Sequence, residues 1–148
     1  MRGIKHDYVA IARFRTALRA YDNAAADAAR GAGLTPQRYL LLLLVKGAPD
    51  GREEATVSEL ADRLKVAPHT VTGAASRAER AGLVVRRRCD EDRRRTWIRL
   101  TPEGERRLGR AVAAAQAQRD GLLEVIDELA ADARAVEVRP ASRGRVER

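Results

Sequence analysis

Cysteine is almost absent from the chain, with Cys89 the single thiol in 148 residues. One thiol closes no intramolecular disulfide and builds no thiolate metal site, and the isolated His6 and His69 do not rescue one. A disulfide-stapled secreted domain and a zinc finger are both excluded. Lysine is scarce too: Lys5, Lys46 and Lys65 are the only ones, so arginine carries the basic charge. No apolar run approaches the roughly 20 residues that span a bilayer, and Met1-Arg2-Gly3 leads into no signal-peptide core. The expectation is a cytoplasmic chain with no membrane partner. Also missing are a Gly-rich phosphate loop, a nucleophile with its base, and any carboxylate pair outside exposed charge runs. An enzyme is therefore unsupported, and no metal or cofactor is expected.

What is present is a core and an excess of positive charge. The length suits about one domain on the usual prior of roughly 150 residues each, and a hydrophobic content of 45% is enough to bury its interior. Twenty-nine basic against 21 acidic residues leave a net charge of +8, with a pI near 10.7. A polyanionic partner, most simply nucleic acid, becomes the leading idea.

Residues 5 to 30 place Ile11, Phe14, Leu18, Tyr21, Ala25 and Ala28 at alternating steps of three and four, the seam of a helix that packs on another helix. Gly31 and Gly33 end it. Thr35 then caps a second helix with Pro36 at its first position, and the run Tyr39 to Val45 is apolar on every face, as expected in mid-core. Thr56-Val57-Ser58-Glu59 offers a capping box for a short third helix to about Leu64. Pro68 opens a fourth, which Ala81-Gly82 ends. Two β-like runs, Leu83-Val84-Val85 and Thr96 to Leu100, predict a hairpin with a long charged tip. Thr101-Pro102 caps a last long helix with Leu108, Val112, Ala115, Leu122, Val125, Ile126 and Leu129 mostly on one side; Arg119 and Gly121 predict a bend or split. Past Ala135 periodicity is lost, and a loose basic tail over 136–148 is expected. The fold class is mainly α with a small β-hairpin wing.

Helix 57–64, a short turn and helix 68–81 form a helix-turn-helix pattern. Leu60, Leu64, Val66, Val71 and Ala74 can face one another inside the corner, which leaves His69, Thr70, Thr72, Ser76 and Arg77 outside. Short hydroxyls and an arginine suit base edges and phosphates in a major groove about one helix wide. The hairpin tip adds Arg86, Arg87, Arg88, Arg93, Arg94 and Arg95, six cations in ten residues against Asp90, Glu91 and Asp92, a net +3. Guanidinium groups pair bidentately with phosphate and can enter a narrow minor groove. Each feature alone also reads as a solvated face; the two together, in this order, carry the signal.

From Leu34 to Gly104 the sequence resembles the winged-helix transcription regulators of the MarR type. The resemblance rests on Leu34-Thr35-Pro36-Gln37, Val57-Ser58-Glu59-Leu60-Ala61, Val71-Thr72, Gly82-Leu83-Val84, Asp92-Arg93-Arg94 and, most specifically, Leu100-Thr101-Pro102-Glu103-Gly104. It implies a homodimer whose first and last helices intertwine, over 1–33 and 102–135, around winged helix-turn-helix lobes over 34–101. It also implies repression of promoters from pseudo-palindromic double-stranded DNA, and response to small, often aromatic effectors. By position, Thr70, Thr72, Ser76 and Arg77 become groove or phosphate candidates, joined by His69 at the helix start. On the wing the candidates are Arg87 and Arg93 together with the pair Asp92 and Arg94, in which the acid orients the arginine for the minor groove. Ile11, Phe14, Leu18, Leu122 and Ile126 become dimer contacts, and Tyr8, Tyr21 and Tyr39 either line an effector cavity or are plain core. Three positions depart from the family pattern: Lys65 stands where the turn usually has Gly, Gly73 where many relatives carry a basic side chain, and Cys89 in place of a frequent first wing acid; the C-terminal helix that relatives add to the dimer interface is expected to be truncated, since 136–148 cannot supply it.

Other readings remain open at this stage. A winged-helix module that binds an acidic protein and a non-specific nucleic-acid-binding protein both fit the charge. Cys89 is either an incidental thiol or a redox sensor whose pKa neighbouring arginines would lower.

Overall fold

The computed structural model describes residues 7–137. Six helices and three short strands follow in the order α1 (Tyr8–Gly31), α2 (Pro36–Lys46), β1 (Glu54–Thr56), α3 (Val57–Leu64), α4 (Pro68–Arg80), β2 (Val84–Arg88), β3 (Thr96–Leu100), α5 (Pro102–Ala114) and α6 (Gln116–Glu137). Contacts divide the chain into two compact units. One holds residues 7–22 and 116–137; the other holds 23–115.

In the larger unit the helix starts follow from local chemistry. Thr35 Oγ1 accepts from the Arg38 amide at 3.2 Å, and Pro36 fills a first position whose N–H would go unused. At α3 the capping box is complete, with Thr56 Oγ1 accepting from the Glu59 amide at 3.2 Å and Glu59 accepting from the Thr56 amide at 2.8 Å. Ala67 gives α4 no side-chain cap, and Pro68 alone marks its start.

The core gathers Leu42, Val45, Leu60, Val71, Leu83, Val84 and Ile98, each almost wholly buried. The α2 run is not buried on all faces as its composition predicts. Leu41, Leu42 and Val45 face inward, whereas Leu40 is 42% exposed and Leu43 and Leu44 are half-buried. One helix among small neighbours has more leucine than the core can cover. Inside the helix-turn-helix, Leu60 and Val71 meet as expected, but Val66 is exposed and Ala75 and Ala78 take the inward positions with Ala61. Alanines there let α3 and α4 approach closely, because no long side chain separates them.

The hairpin is part of a three-stranded antiparallel sheet of order β1-β3-β2, with Ala55 opposite Ile98 and Arg86 also opposite Ile98. Sequence reading missed β1. It holds three residues, only one of them β-branched, and follows Glu53, whose φ of 58° turns the chain sharply. The last helix breaks at Ala115, earlier than the expected Arg119–Gly121 region, which lies inside α6. Of the tail expected over 136–148, Val136 and Glu137 still belong to α6, and 138–148 lie outside the described residues, as do Met1 to His6.

The motif from Leu100 to Gly104 ties the wing shut. Thr101 donates its backbone N–H to the Leu83 carbonyl at 3.0 Å and its hydroxyl to the Gly82 carbonyl at 2.6 Å, while its Oγ1 accepts from the Gly104 amide at 3.1 Å. Gly82, at φ +74°, takes the left-handed conformation that ends α4. A side chain on Gly104 would collide with backbone, since a Cβ there would lie 2.1 Å from the Leu83 carbonyl oxygen. Both ends of the wing are thereby fixed to the start of α5.

In the smaller unit, residues 8–22 of α1 lie with α6, and Arg13 pairs with Glu128. Tyr8, Val9, Ala12, Thr16, Ala17 and Val125 line a shallow apolar groove there.

Candidate nucleic-acid interface

The outer face of α4 is polar and accessible. His69, Thr70, Thr72 and Arg77 are exposed and Ser76 is half-buried. Thr72 donates its hydroxyl to the Pro68 carbonyl at 3.2 Å, which leaves its oxygen able to accept, and Arg80 donates to Ser76 Oγ at 3.4 Å. The turn before α4 is made by Lys65 at φ 56°, ψ 43°. It occupies the left-handed conformation that glycine adopts without strain, so the departure changes the residue and keeps the backbone path.

The wing does not present all six arginines alike. Arg86 is a structural anchor: its Nε and Nη2 donate to Glu79 Oε1 at 3.2 and 3.0 Å, and its amide donates to Glu79 Oε2 at 3.1 Å. This joins β2 to the end of α4 and holds the Glu79 carboxyl below the usual carboxylate range, chiefly through the Arg86 side chain. Arg87 lies 3.8 Å from Glu54. Arg88, Arg93, Arg94 and Arg95 are exposed and pair with no carboxylate among the described residues.

Asp92 accepts the Arg94 backbone N–H at 3.0 Å, and its carbonyl accepts from Arg95 at 2.9 Å. Its carboxylate thus shapes the tip backbone, and no ion pair joins it to the Arg94 guanidinium. Cys89 closes the tip by donating its amide to the Arg95 carbonyl at 2.9 Å. Its thiol is held below the ordinary value by the Asp92 amide first, then the Glu91 amide and the Trp97 side chain. Backbone donors are the leading cause, not the arginines that sequence reading invoked. Trp97 in turn carries the Arg52 guanidinium 4.8 Å from its ring centre, and Arg52 also pairs with Asp50 and Glu59, so one arginine braces the root of the sheet against α3. Arg52 gave no sequence signal, because its partners are brought to it by the turn before β1.

The remaining candidates lie elsewhere. Tyr39 is buried in the larger unit, Tyr21 is half-buried on α1, and Tyr8 is 75% exposed at the edge of the apolar groove. Ile11, Phe14 and Ile126 are exposed, and Leu18 and Leu122 half-buried. No group of three His, Cys, Asp or Glu side chains among the described residues could hold a metal ion. No described helix is long and apolar enough to cross a membrane.

A helix-turn-helix followed by a sheet-borne loop, knotted at its base by Thr101, is a winged helix. Residues 32–95 match the MarR family. It is 41% identical over 78 residues to the HTH-type transcriptional repressor YetL of Bacillus subtilis (strain 168), covering 53% of this chain and 46% of that one. The chain spans about half the length of the curated relatives it matches. Among solved structures it is similar to a MarR family transcriptional regulator from Streptomyces coelicolor in complex with DNA, with a TM-score of 0.65 at 23% identity over 99% of this chain and 97% of that one. It is also similar to NadR in complex with 4-hydroxyphenylacetate, with a TM-score of 0.67 at 24% identity over 93% and 96%. These likenesses establish the fold, mainly helical with a small sheet.

Proposed function

We propose that the protein is a DNA-binding transcription regulator, a repressor that binds a pseudo-palindromic operator as a homodimer and responds to a small-molecule effector. The carrying observation is the exposed polar face of α4 next to a wing whose free guanidiniums are Arg88, Arg93, Arg94 and Arg95. A helix of that polarity suits the major groove, and arginines on a protruding loop suit the adjacent minor groove. His69, Thr70, Thr72 and Ser76 would meet bases or phosphates, and Arg87, Arg93 and Arg94 the rim and minor groove, with Asp92 setting the tip. The names of the relatives support the same reading: YetL is a repressor, one structural neighbour was solved on DNA and another with 4-hydroxyphenylacetate.

The apolar faces of α1 and α6 support the homodimer. Ile11 at 54% and Phe14 at 37% exposure are costly to leave in water, and a second copy with the same faces would cover them. Tyr8 and Tyr21 on α1, and Tyr39 on α2, remain the effector candidates. An effector that favours a spacing of the two recognition helices other than the one DNA requires weakens DNA binding, and DNA weakens effector binding by the same factor.

The test is fluorescence anisotropy on duplexes tiling the DNA upstream of the gene, at several salt concentrations with bulk competitor. One tile bound at least ~10³-fold more tightly than the rest is the expected result for a specific regulator. Equal, salt-sensitive binding to every tile would make it a non-specific nucleic-acid-binding protein. Absence of binding at low salt would leave the protein-interaction module.

A further inference from the structure

The wing is tied to the helix-turn-helix at three levels. At its base Thr101 holds Gly82 and Leu83, and further out Arg86 on β2 holds Glu79 on α4. The third level is Trp97, in register with Arg87 of β2 and Thr56 of β1 and one residue from Thr96, where the pairing of β2 with β3 ends. Four residues separate Trp97 from Thr101, roughly 13 Å of extended strand. A restraint on this ring therefore resists swinging of the tip with a longer arm than the base has.

Arg52 is that restraint. Asp50 accepts from its amide at 3.2 Å and also from its side-chain Nε, while Glu59 Oε1 accepts from its Nη2 at 2.9 Å. Two carboxylates thus take the edge of the guanidinium and leave its flat face for the indole. Glu59 is the same carboxylate that closes the capping box of α3, through Oε2 and the Thr56 amide. The Trp97 side chain also bonds to the thiol of Cys89, the first residue of the tip. One chain of contacts therefore runs from the capped start of α3, through a carboxylate, a guanidinium and an indole, to the wing tip. Arg87, opposite Trp97 on β2, adds only a 3.8 Å approach to Glu54.

We infer that Arg52 is a positioning residue for DNA binding: it clamps Trp97 to the start of α3 and so fixes where the tip arginines stand relative to α4, with no contact to DNA of its own. The inference rests on the DNA-binding reading above and deepens it. A loop free to swing has to be ordered when it meets the duplex, and that cost is subtracted from the affinity its arginines supply. A tip held in place beforehand avoids it. Arg52 and Trp97 then decide how much of the wing's charge becomes affinity, although neither is part of the surface that meets the duplex.

Trp97 is the single tryptophan of the chain, so its fluorescence reports the clamp directly. The full chain, Arg52→Ala, Trp97→Leu and the double variant are titrated with the tightest-binding duplex, well below their thermal midpoints. Arg52→Ala is then repeated in a chain whose Arg93, Arg94 and Arg95 are all changed to alanine. Arg52→Ala is expected to open Trp97 to acrylamide quenching and to weaken duplex binding ~3–10-fold, the scale of one cation–π contact. Trp97→Leu should lose about as much, and the double variant no more than either, because both break the same chain of contacts. In the chain without tip arginines, Arg52→Ala should cost nothing further, whereas a merely structural arginine would cost the same in both backgrounds. Three results would overturn the inference: an Arg52→Ala chain that binds as tightly as before, losses that add in the double variant, or an undiminished loss without the tip arginines. If the unmodified protein binds no duplex, the DNA-binding reading fails and the inference with it; if it binds and one of those three results appears, the inference alone fails.

Discussion

At position 104 a single missing methyl group decides whether the wing can close. The Leu83 carbonyl stands 2.1 Å from where a Cβ would be, and both partners are backbone. Gly104→Ala therefore forces α5 away from the end of α4 and loosens three hydrogen bonds through Thr101. A destabilisation of about 2–3 kcal/mol is expected from overpacking of this kind, read by denaturant titration; an unchanged midpoint would show that the helix start shifts freely. Lys65 is the opposite case. Its left-handed backbone carries a cost of roughly 1 kcal/mol that glycine avoids, so Lys65→Gly should stabilise by about 0.5–1 kcal/mol despite the looser unfolded chain. The caps at Thr35, Thr56 and Thr101 were legible in the sequence because their partners lie three residues away. The stacking of Arg52 on Trp97 was not, because its two sides come from the turn before β1 and from β3.

The wing shows how one element can be recognised while its internal chemistry is misread. Two β-like runs and a charged tip between them were enough to predict the hairpin. They gave no warning that Arg86 is consumed by Glu79, or that the Asp92 carboxylate is spent on the Arg94 backbone. That contact separates two roles for Asp92. If it shapes the tip, Asp92→Asn should keep operator affinity, because an amide oxygen accepts the same N–H, whereas Asp92→Ala should weaken it several-fold. A carboxylate that acted by charge would lose as much in the Asn variant. Arg94→Ala belongs to the same measurement: operator affinity should fall strongly with the thermal midpoint nearly unchanged, since the exposed side chain makes no hydrogen bond or ion pair among the described residues. Strand β1 and the break at Ala115 stayed hidden for another reason. Three residues hold no period, and the apolar stripe runs on through the break.

For the whole molecule, acid should be destabilising. Glu79 is held below its ordinary pKa by Arg86, Glu103 by Arg107, Glu53 by Lys46 and Asp50 by Arg52. A carboxyl depressed in the folded state binds fewer protons than in the unfolded state. Its contribution is complete above the unfolded value and disappears as pH falls through the folded one. Stability should hold through neutral pH and decline from about pH 4 downward, in thermal scans at constant ionic strength. A midpoint that rose on acidification would contradict these pairings.

Assembly sets the last expectation. The face carrying Ile11, Phe14 and Ile126 has little to do in a lone chain, since burying a large side chain is worth about 1.5–3 kcal/mol and these are left in water. A partner copy would recover that energy on both chains at once, as a two-fold contact repeats every residue. Leu18→Asp places a charge in the same seam and should yield monomers or unfolded chain, while Phe14→Asp, at a more exposed position, should give folded monomers by light scattering with circular dichroism as the check on folding. Folded monomers should also bind a two-half-site operator far more weakly than the dimer but a single half-site as well as one dimer lobe does. That pattern would place the defect in assembly and not in the winged helix. A Phe14→Asp protein that remained dimeric would move the interface away from α1.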